Sequence, residues 1–409
     1  MPWAFLAVSS IGAWFTINAH VPLHRRPLNV LSFAAGWLTT ELAGHHLVWQ
    51  VAATAGFIAA GALEAPAGWV GLGLTLSSWG GLLALIVGAG RAGHLVEEAL
   101  VEGLDPDLRS AADAGGPTAS LSPSRLIVPF YFRDRSVRRT HDIEYLPGGG
   151  WRRSLDVYAP RAGVRDAPVL LQVHGGAWII SEKGHQALPL MHHLAARGWV
   201  CVAANYRLSP AATFPEHLID LKHALRWIRE NIAAHGGDPG FIAATGGSAG
   251  GHLSALLALT AGDPEYQPGF EDVDTKVQAC VPFYGVYDFT DRTGHQPDRG
   301  MQRFLERTVM KKRFSEDPES FERASPIHRI HAEAPPFFVI HGSHDTLAPV
   351  GEAREFARRL RETSKAPVAY AELPVAQHAF EIFHSPRSHH VIRGVDHFLS
   401  AIHARRRGR

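Results

Sequence analysis

The sequence predicts an α/β chain: a mostly parallel sheet flanked by helices, preceded by an N-terminal transmembrane helical region. From Val137 onward, short apolar runs alternate with amphipathic helical stripes, the grammar of repeated strand–helix units. One run, Phe241 to Ala244, is broken by Gly246 and Gly247 and then followed by Leu253, Leu256 and Leu257 at helical spacing, which puts Ser248 on a strand-to-helix bend. The first 90 residues, by contrast, carry almost no charge.

At 409 residues the chain has room for two or three domains, or one large domain with an appendage. A net charge of +1 selects neither for nucleic acid nor for acidic substrates. Cys201 and Cys280 both lie inside apolar runs and read as small core residues rather than a disulfide or metal pair.

Taken in order, Met1 to Leu23 has no Asp, Glu, Lys or Arg, and Arg25 and Arg26 follow. Pro27 to Thr40, Leu42 to Leu63 and Ala65 to Gly90 are also uncharged, separated by Glu41 and Glu64. A membrane span needs about 20 apolar residues, so the first, third and fourth stretches are long enough, while Pro27 to Thr40 suits an interfacial or re-entrant piece. Six of the ten tryptophans (Trp3, Trp14, Trp37, Trp49, Trp69 and Trp79) fall in this region, as expected where rings collect at headgroup level. A buried helical subdomain is the competing reading. Three spans with Arg25, Arg26 and Arg91 on the cytoplasmic side would leave the rest of the chain in the cytoplasm, where the tail Arg405 to Arg409 would face anionic lipid. The expected divisions are a membrane-spanning region over 1–91, a short helix and linker over 92–124, and a catalytic domain over 125–409.

In that last part, HDIEYL and SLDVYAP alternate polar and apolar residues and suit an antiparallel pair around Gly148 to Gly150. PVLLQVH (168–174) and WVCVAANYR (199–207) read as strands buried on both faces, with a helix around Ala187–Arg197 between them. Phe214–Ala234 carries Leu218, Leu221, Leu225, Ile228 and Ile232 on one helical stripe. The runs FIAATGG, VQACVPFYG, PPFFVIHG (335–342) and VAYAELP (368–374) continue the strands, and Gly351–Thr363 and Arg387–Ala404 the helices. A polar insert at about 286–334 interrupts this order and is expected to cap the pocket. Ligands in such sheets bind outside the carboxyl ends of the strands, where Ser248, the 174–177 loop and Asp345 all fall.

A serine nucleophile needs a base for its proton, a carboxylate to orient that base, and N–H donors for the oxyanion. Asp345 lies 97 residues after Ser248 just past one buried strand, and His378 lies 33 residues further just past the next. Alone, Asp345 would be a turn or helix cap and His378 a surface loop histidine; together they supply the order Ser, acid, His that a strand–turn–helix nucleophile requires. The glycines of His174-Gly175-Gly176-Ala177-Trp178 allow the N–H groups of Gly175 and Gly176 to turn inward, and Ala249 adds a third donor. His174 reads as a structural hydrogen-bonder, and Trp178 as lining the substrate pocket or belonging to the core. Asp288 is a fallback acid whose simpler role is capping a turn. His341, His344, His384, His389 and His390 match no zinc spacing, and no nucleotide-binding fingerprint occurs, so no metal or cofactor is expected.

The strings HGGAW, YRLSP (206–210), FPEHLID, GGSAGGHL and HGSHDTLAP, in this order and spacing, resemble the α/β-hydrolase fold. More narrowly the chain is similar to the hormone-sensitive-lipase-like carboxylesterases, and close to the membrane-attached esterases of mycobacteria and related actinobacteria. The resemblance covers roughly residues 125–405. It implies a membrane-attached serine carboxylesterase or lipase working through an acyl-enzyme on a small-molecule or lipid ester. Ser248, Asp345 and His378 would form its triad, and Gly175, Gly176 and Ala249 its oxyanion donors. The chain departs from the family pattern at Gly247, where members commonly carry Asp, and at DTLAP. The second departure resembles kynurenine formamidase and feruloyl-esterase relatives and bears on the substrate. An amidase or formamidase of the same fold, a non-catalytic ligand-binding relative, and a membrane transporter or scaffold are the rival readings.

Overall fold

The structure is a computed structural model and describes residues 1–113 and 123–407. The chain opens with four helices, α1 (Pro2–His20), α2 (Leu28–Glu41), α3 (Ala43–Ala59) and α4 (Pro66–Gly103). Two short helices follow, α5 (Pro106–Asp113) and α6 (Pro123–Ile127). Then come β1 (Val137–Glu144), β2 (Ser154–Pro160), β3 (Ala167–Val173), α7 (Leu188–Ala196), β4 (Val200–Ala204), α8 (Glu216–Asn231), β5 (Gly237–Gly247) and α9 (Ala249–Leu259). The chain closes with β6 (Ala279–Phe283), α10 (Gly300–Phe304), α11 (Pro318–Arg323), β7 (Phe337–Gly342), α12 (Val350–Thr363), β8 (Val368–Leu373) and α13 (Pro386–Arg407).

The eight strands form one sheet in the order β1-β2-β4-β3-β5-β6-β7-β8. The alternating pair β1 and β2 is antiparallel as expected, β2 meets β4 antiparallel, and every pairing from β4 to β8 is parallel. The near-continuous apolar runs are buried throughout because both faces are covered. One face packs on α8, α9 and α12 through Leu221, Leu225, Leu256 and Phe356, and the other on α7 and α13 through Leu194, Val395 and Phe398. Cys201 and Cys280 are buried and unpaired, one on each side.

The region expected to be a separate short helix after Ala92 is the second half of α4, a helix of 38 residues. Ala92, Val96, Ala99 and Leu100 join the α13 layer, so the boundary expected at 91/92 falls inside a helix. A Cβ on Gly103 would stand 2.5 Å from the Ala369 backbone, so the helix seats directly on β8. Residues 114–122 of the expected linker, and Gly408 and Arg409 of the basic tail, lie outside the described residues.

The first half of α4 belongs to a bundle with α1 and α3. Leu6 lies against Gly71, Ser9 bonds Thr75 at 2.9 Å and Thr16 bonds Ser78 at 2.7 Å, so α1 and α4 run in the same direction. Phe5 meets Phe57 and Gly12 meets Gln50, so α3 runs the other way. Among the described residues, α4 is the one helix long and apolar enough to cross a membrane by length and composition. α1 has 19 residues and includes Ser9, Ser10, Thr16 and Asn18, and α3 has 17 residues. Glu41, which stood alone among uncharged residues in the sequence, is paired with Arg387 of α13, and both side chains are sealed from solvent.

Candidate active site

Ser248 sits between β5 and α9 with φ 59° and ψ −122°, backbone angles that a non-glycine residue holds only where the surroundings enforce them. Its N–H donates to the Phe283 carbonyl of the neighbouring strand at 3.0 Å. A Cβ at Gly250 would stand 2.1 Å from the Val173 carbonyl oxygen, so the glycine two residues after the serine is dictated by the close pass of β3. The turn therefore lifts the Ser248 hydroxyl above the carboxyl edge of the sheet while its backbone stays fastened below.

Asp345 and His378 arrive at the same edge from the loops after β7 and β8. His378 Nδ1 lies 2.6 Å from Asp345 Oδ2. The other carboxylate oxygen accepts the N–H groups of Leu347 and Ala348, both at 2.8 Å, and His341 Nε2 stands 3.2 Å from Oδ2. Burial pushes the Asp345 carboxyl up, but the imidazoles of His378 and His341 outweigh it and hold the group well below the usual carboxylate range. The acid is thus an anion fixed on the imidazole, with its remaining lone pairs occupied by backbone donors. The Gln377 amide oxygen accepts both His378 N–H at 2.9 Å and Thr346 N–H at 2.8 Å, which ties the two loops together.

Tyr284, missed by the sequence reading, packs on His378 and beside Gly247. Its ring centre lies 4.4 Å from that of His378, and its hydroxyl fills the place of a Gly247 side chain, 2.6 Å from where a Cβ would be. The same hydroxyl lies 2.5 Å from both carboxylate oxygens of Glu381, a group that burial pushes up to about 7. The signal was Gly247 itself, a small residue where the resemblance expects Asp.

The 174–178 loop runs beside Ser248, with a Gly175 Cβ position 3.1 Å from the Ser248 Cβ. The Gly175 N–H donates to Gln186 Oε1 at 2.6 Å, which corrects its expected role as an oxyanion donor: the hydrogen already has an acceptor. Gly176, Ala177 and Trp178 all have positive φ (108°, 51° and 60°), so the loop curls tightly. His174 is buried, its Nδ1–H donates to the Gly175 carbonyl at 2.8 Å, and its ring stacks on Tyr206; burial pushes it down to about 4, so it is a neutral structural group. Trp178 is 1% exposed, with its indole N–H on His252 Nδ1 at 3.2 Å and its ring edge-on to Phe289. The pocket-lining role weighed for it gives way to the core role, because its polar and apolar surfaces are both occupied. Asp288 is held by the N–H and hydroxyl groups of Thr290 and Thr293, which is the capping role.

A cavity of about 200 Å³ borders the acid loop, lined by His24, Asn29, His295, Asp345, Thr346 and Pro349. It brings together the N-terminal region and the polar insert. A larger depression of about 440 Å³, between Pro168, Trp199 and His403, touches none of the groups above. Among the described residues no cluster of three His, Cys, Asp or Glu could hold a metal ion.

The BD-FAE family model matches residues 155–360, which span β2, the 174–178 loop, the Ser248 turn and the Asp345 loop. The chain belongs to the BD-FAE family. As a BD-FAE member it is 45% identical to the probable carboxylic ester hydrolase LipM of Mycobacterium tuberculosis, over 98% of this chain and 93% of that protein. It is 46% identical to the esterase LipQ of the same organism, over 78% of this chain and 77% of that one. Among solved structures, a truncated carbohydrate esterase from gut microbiota aligns with a TM-score of 0.55 and 22% identity, over 65% of this chain and 96% of that chain, a likeness in fold. This BD-FAE chain has the α/β-hydrolase fold and is a carboxylic ester hydrolase.

Proposed function

We propose that the protein is a membrane-attached serine carboxylesterase whose triad is Ser248, His378 and Asp345. The observation that carries this is the 2.6 Å contact of His378 Nδ1 with a buried, anionic Asp345, at the sheet edge where the strained Ser248 turn ends. Asp345 fixes the tautomer that leaves Nε2 free to take the Ser248 proton. The Ser248 oxygen attacks the ester carbonyl, and the resulting oxyanion is received by backbone N–H groups. Gly176 and Ala249 serve in that role, with Ala177 in place of Gly175, since consecutive residues of positive φ turn successive amides toward one side. His378 then gives its proton to the departing alcohol, and a water activated by the same imidazole releases the acid from Ser248.

Membrane attachment is supported by the inside-out character of the N-terminal helices. Ser9, Thr16, Asn18, Thr75 and Ser78 are buried between them, while Trp3, Ile11, Trp14, Trp49, Trp69 and Val87 are exposed. Water would select the opposite arrangement, whereas lipid favours small and polar residues at helix contacts. We read α1, α3 and the first half of α4 as three spans, α2 as the re-entrant piece, and the Arg25, Arg26 and Arg91 end as cytoplasmic. A small-molecule or lipid ester is the substrate.

Ser248→Ala, assayed as the full chain in membranes, should abolish hydrolysis of a short-chain nitrophenyl ester and labelling by a fluorophosphonate. Full labelling of the variant would overturn the assignment.

A further inference from the structure

α2 turns one stripe toward the hydrolase: Asn29, Phe33, Gly36, Trp37 and Glu41, at i, i+4, i+7, i+8 and i+12. Every member of the stripe reaches a loop that carries, or directly follows, a member of the proposed triad. Asn29 Nδ2 donates to the Thr346 carbonyl at 3.1 Å, and the Thr346 hydroxyl donates back to the Asn29 carbonyl at 3.0 Å, one residue from Asp345. Phe33 stands edge-on to His378, with ring centres 6.0 Å apart. Gly36 lies against the Nε2 end of Gln377, whose oxygen holds the His378 N–H. The Trp37 indole N–H donates to the Ala379 carbonyl at 2.8 Å. Glu41 accepts from Arg387 and from Ser385 Oγ, beyond the same loop.

The loop so held is under strain. Val375 and Ala379, on either side of His378, have φ of 60° and 64°, and both are non-glycine residues. Such a backbone persists only where its surroundings over-determine it, and the Trp37 bond goes to the strained Ala379 itself. The opposite stripe of α2 is different: Leu31 and Leu38 are exposed.

We propose that α2 is a working part of the active site, its Asn29, Phe33 and Trp37 acting as positioning residues that hold the Asp345 and His378 loops in register. The inference rests on the triad reading above. The membrane-embedded region is then more than an anchor: turnover depends on the seating of α2, and disturbing that helix from the lipid side changes the chemistry.

The test uses the full chain in lipid nanodiscs. Phe33→Ala and Trp37→Phe, the second keeping an aromatic ring while removing the N–H donor and the five-membered ring that carries it, should each lower kcat on a nitrophenyl ester about tenfold or more, since small misplacements of catalytic groups are costly. KM should stay within about twofold. Fluorophosphonate labelling of Ser248 should slow in parallel, which reads the serine–histidine pair without substrate binding. Phe33→Leu should recover most of the rate, and Leu38→Ala on the opposite stripe should behave as wild type. Unchanged kcat and labelling in Trp37→Phe and Asn29→Ala, or a rise in KM alone, would overturn the proposal even if Phe33→Ala fails to fold. Failure of the triad reading would show separately, as labelling that survives Ser248→Ala.

Discussion

The hydroxyl of Tyr284 lies 2.5 Å from both carboxylate oxygens of Glu381, both side chains are buried, and the Tyr284 ring packs on the imidazole of His378. This pair explains the serine turn. Tyr284 has φ 36° and aims its hydroxyl into the space beside Gly247, so an acidic residue before Ser248 would have to displace it. The glycine and the tyrosine are one feature seen at two points of the chain.

Glu381 has its carboxyl raised from 4.5 to about 7 by burial. The sign follows: the unfolded chain loses this proton near pH 4.5 while the folded chain keeps it, so stability present below pH 4.5 is lost as pH rises through about 7. A gap of this size corresponds to a few kcal/mol, at about 1.4 kcal/mol per unit. Glu381→Gln keeps the shape and cannot ionise, so its Tm should fall less than that of wild type between pH 5 and pH 8. Parallel Tm curves for the two proteins would refute the linkage.

Gln186 spends its side-chain oxygen on the Gly175 N–H, at 2.6 Å. Gln186→Leu removes that acceptor and frees the loop beside Ser248. A loss of about 10-fold or more in kcat is expected, in line with the cost of disturbing oxyanion donors. Steady-state kinetics on a short-chain ester decide the matter: an unchanged kcat would mean that the loop holds its shape without Gln186.

Glu41 and Arg387 form a buried ion pair between α2 and α13. Removing one partner leaves the other charge buried and unpaired, at about 3–5 kcal/mol, whereas replacing both with apolar residues is far milder. Thermal unfolding in detergent should therefore rank Glu41→Leu and Arg387→Leu well below the double variant. Additive losses in the double variant would show that the pair is not coupled.

Much of the fold was legible in the chain. The runs 168–174, 199–207 and 335–342 are apolar without alternation because both faces of those strands are covered, and period-two alternation in SLDVYAP and HDIEYL marked the antiparallel edge. That Ser248, Asp345 and His378 lie at one edge was legible because each follows a buried strand in a parallel sheet, and all such loops emerge at that edge. The helix after Ala92 was not read as part of α4, because its charged positions Glu97, Glu98 and Glu102 broke the hydrophobic run while Val96, Ala99 and Leu100 kept a narrower apolar stripe for the sheet. Nor did Gly175 betray its partner, since Gln186 lies 11 residues away and no local spacing links a glycine amide to it.

The sequence by itself determined the strand–helix alternation, the glycine-flanked Ser248 bend and the uncharged N-terminal stretches, because each is written in local composition, periodicity and residues with particular backbone freedom. Tertiary structure alone decided that the Gly175 N–H goes to Gln186, that Tyr284 packs on His378 while its hydroxyl meets Glu381, and that α2 lies across the Asp345 and His378 loops. Those contacts join residues up to 346 positions apart, such as Glu41 and Arg387, and depend on packing angles that no local pattern encodes. For Glu41 the consequence is plain: a lone acid in an uncharged stretch of sequence is, once folded, half of a sealed ion pair.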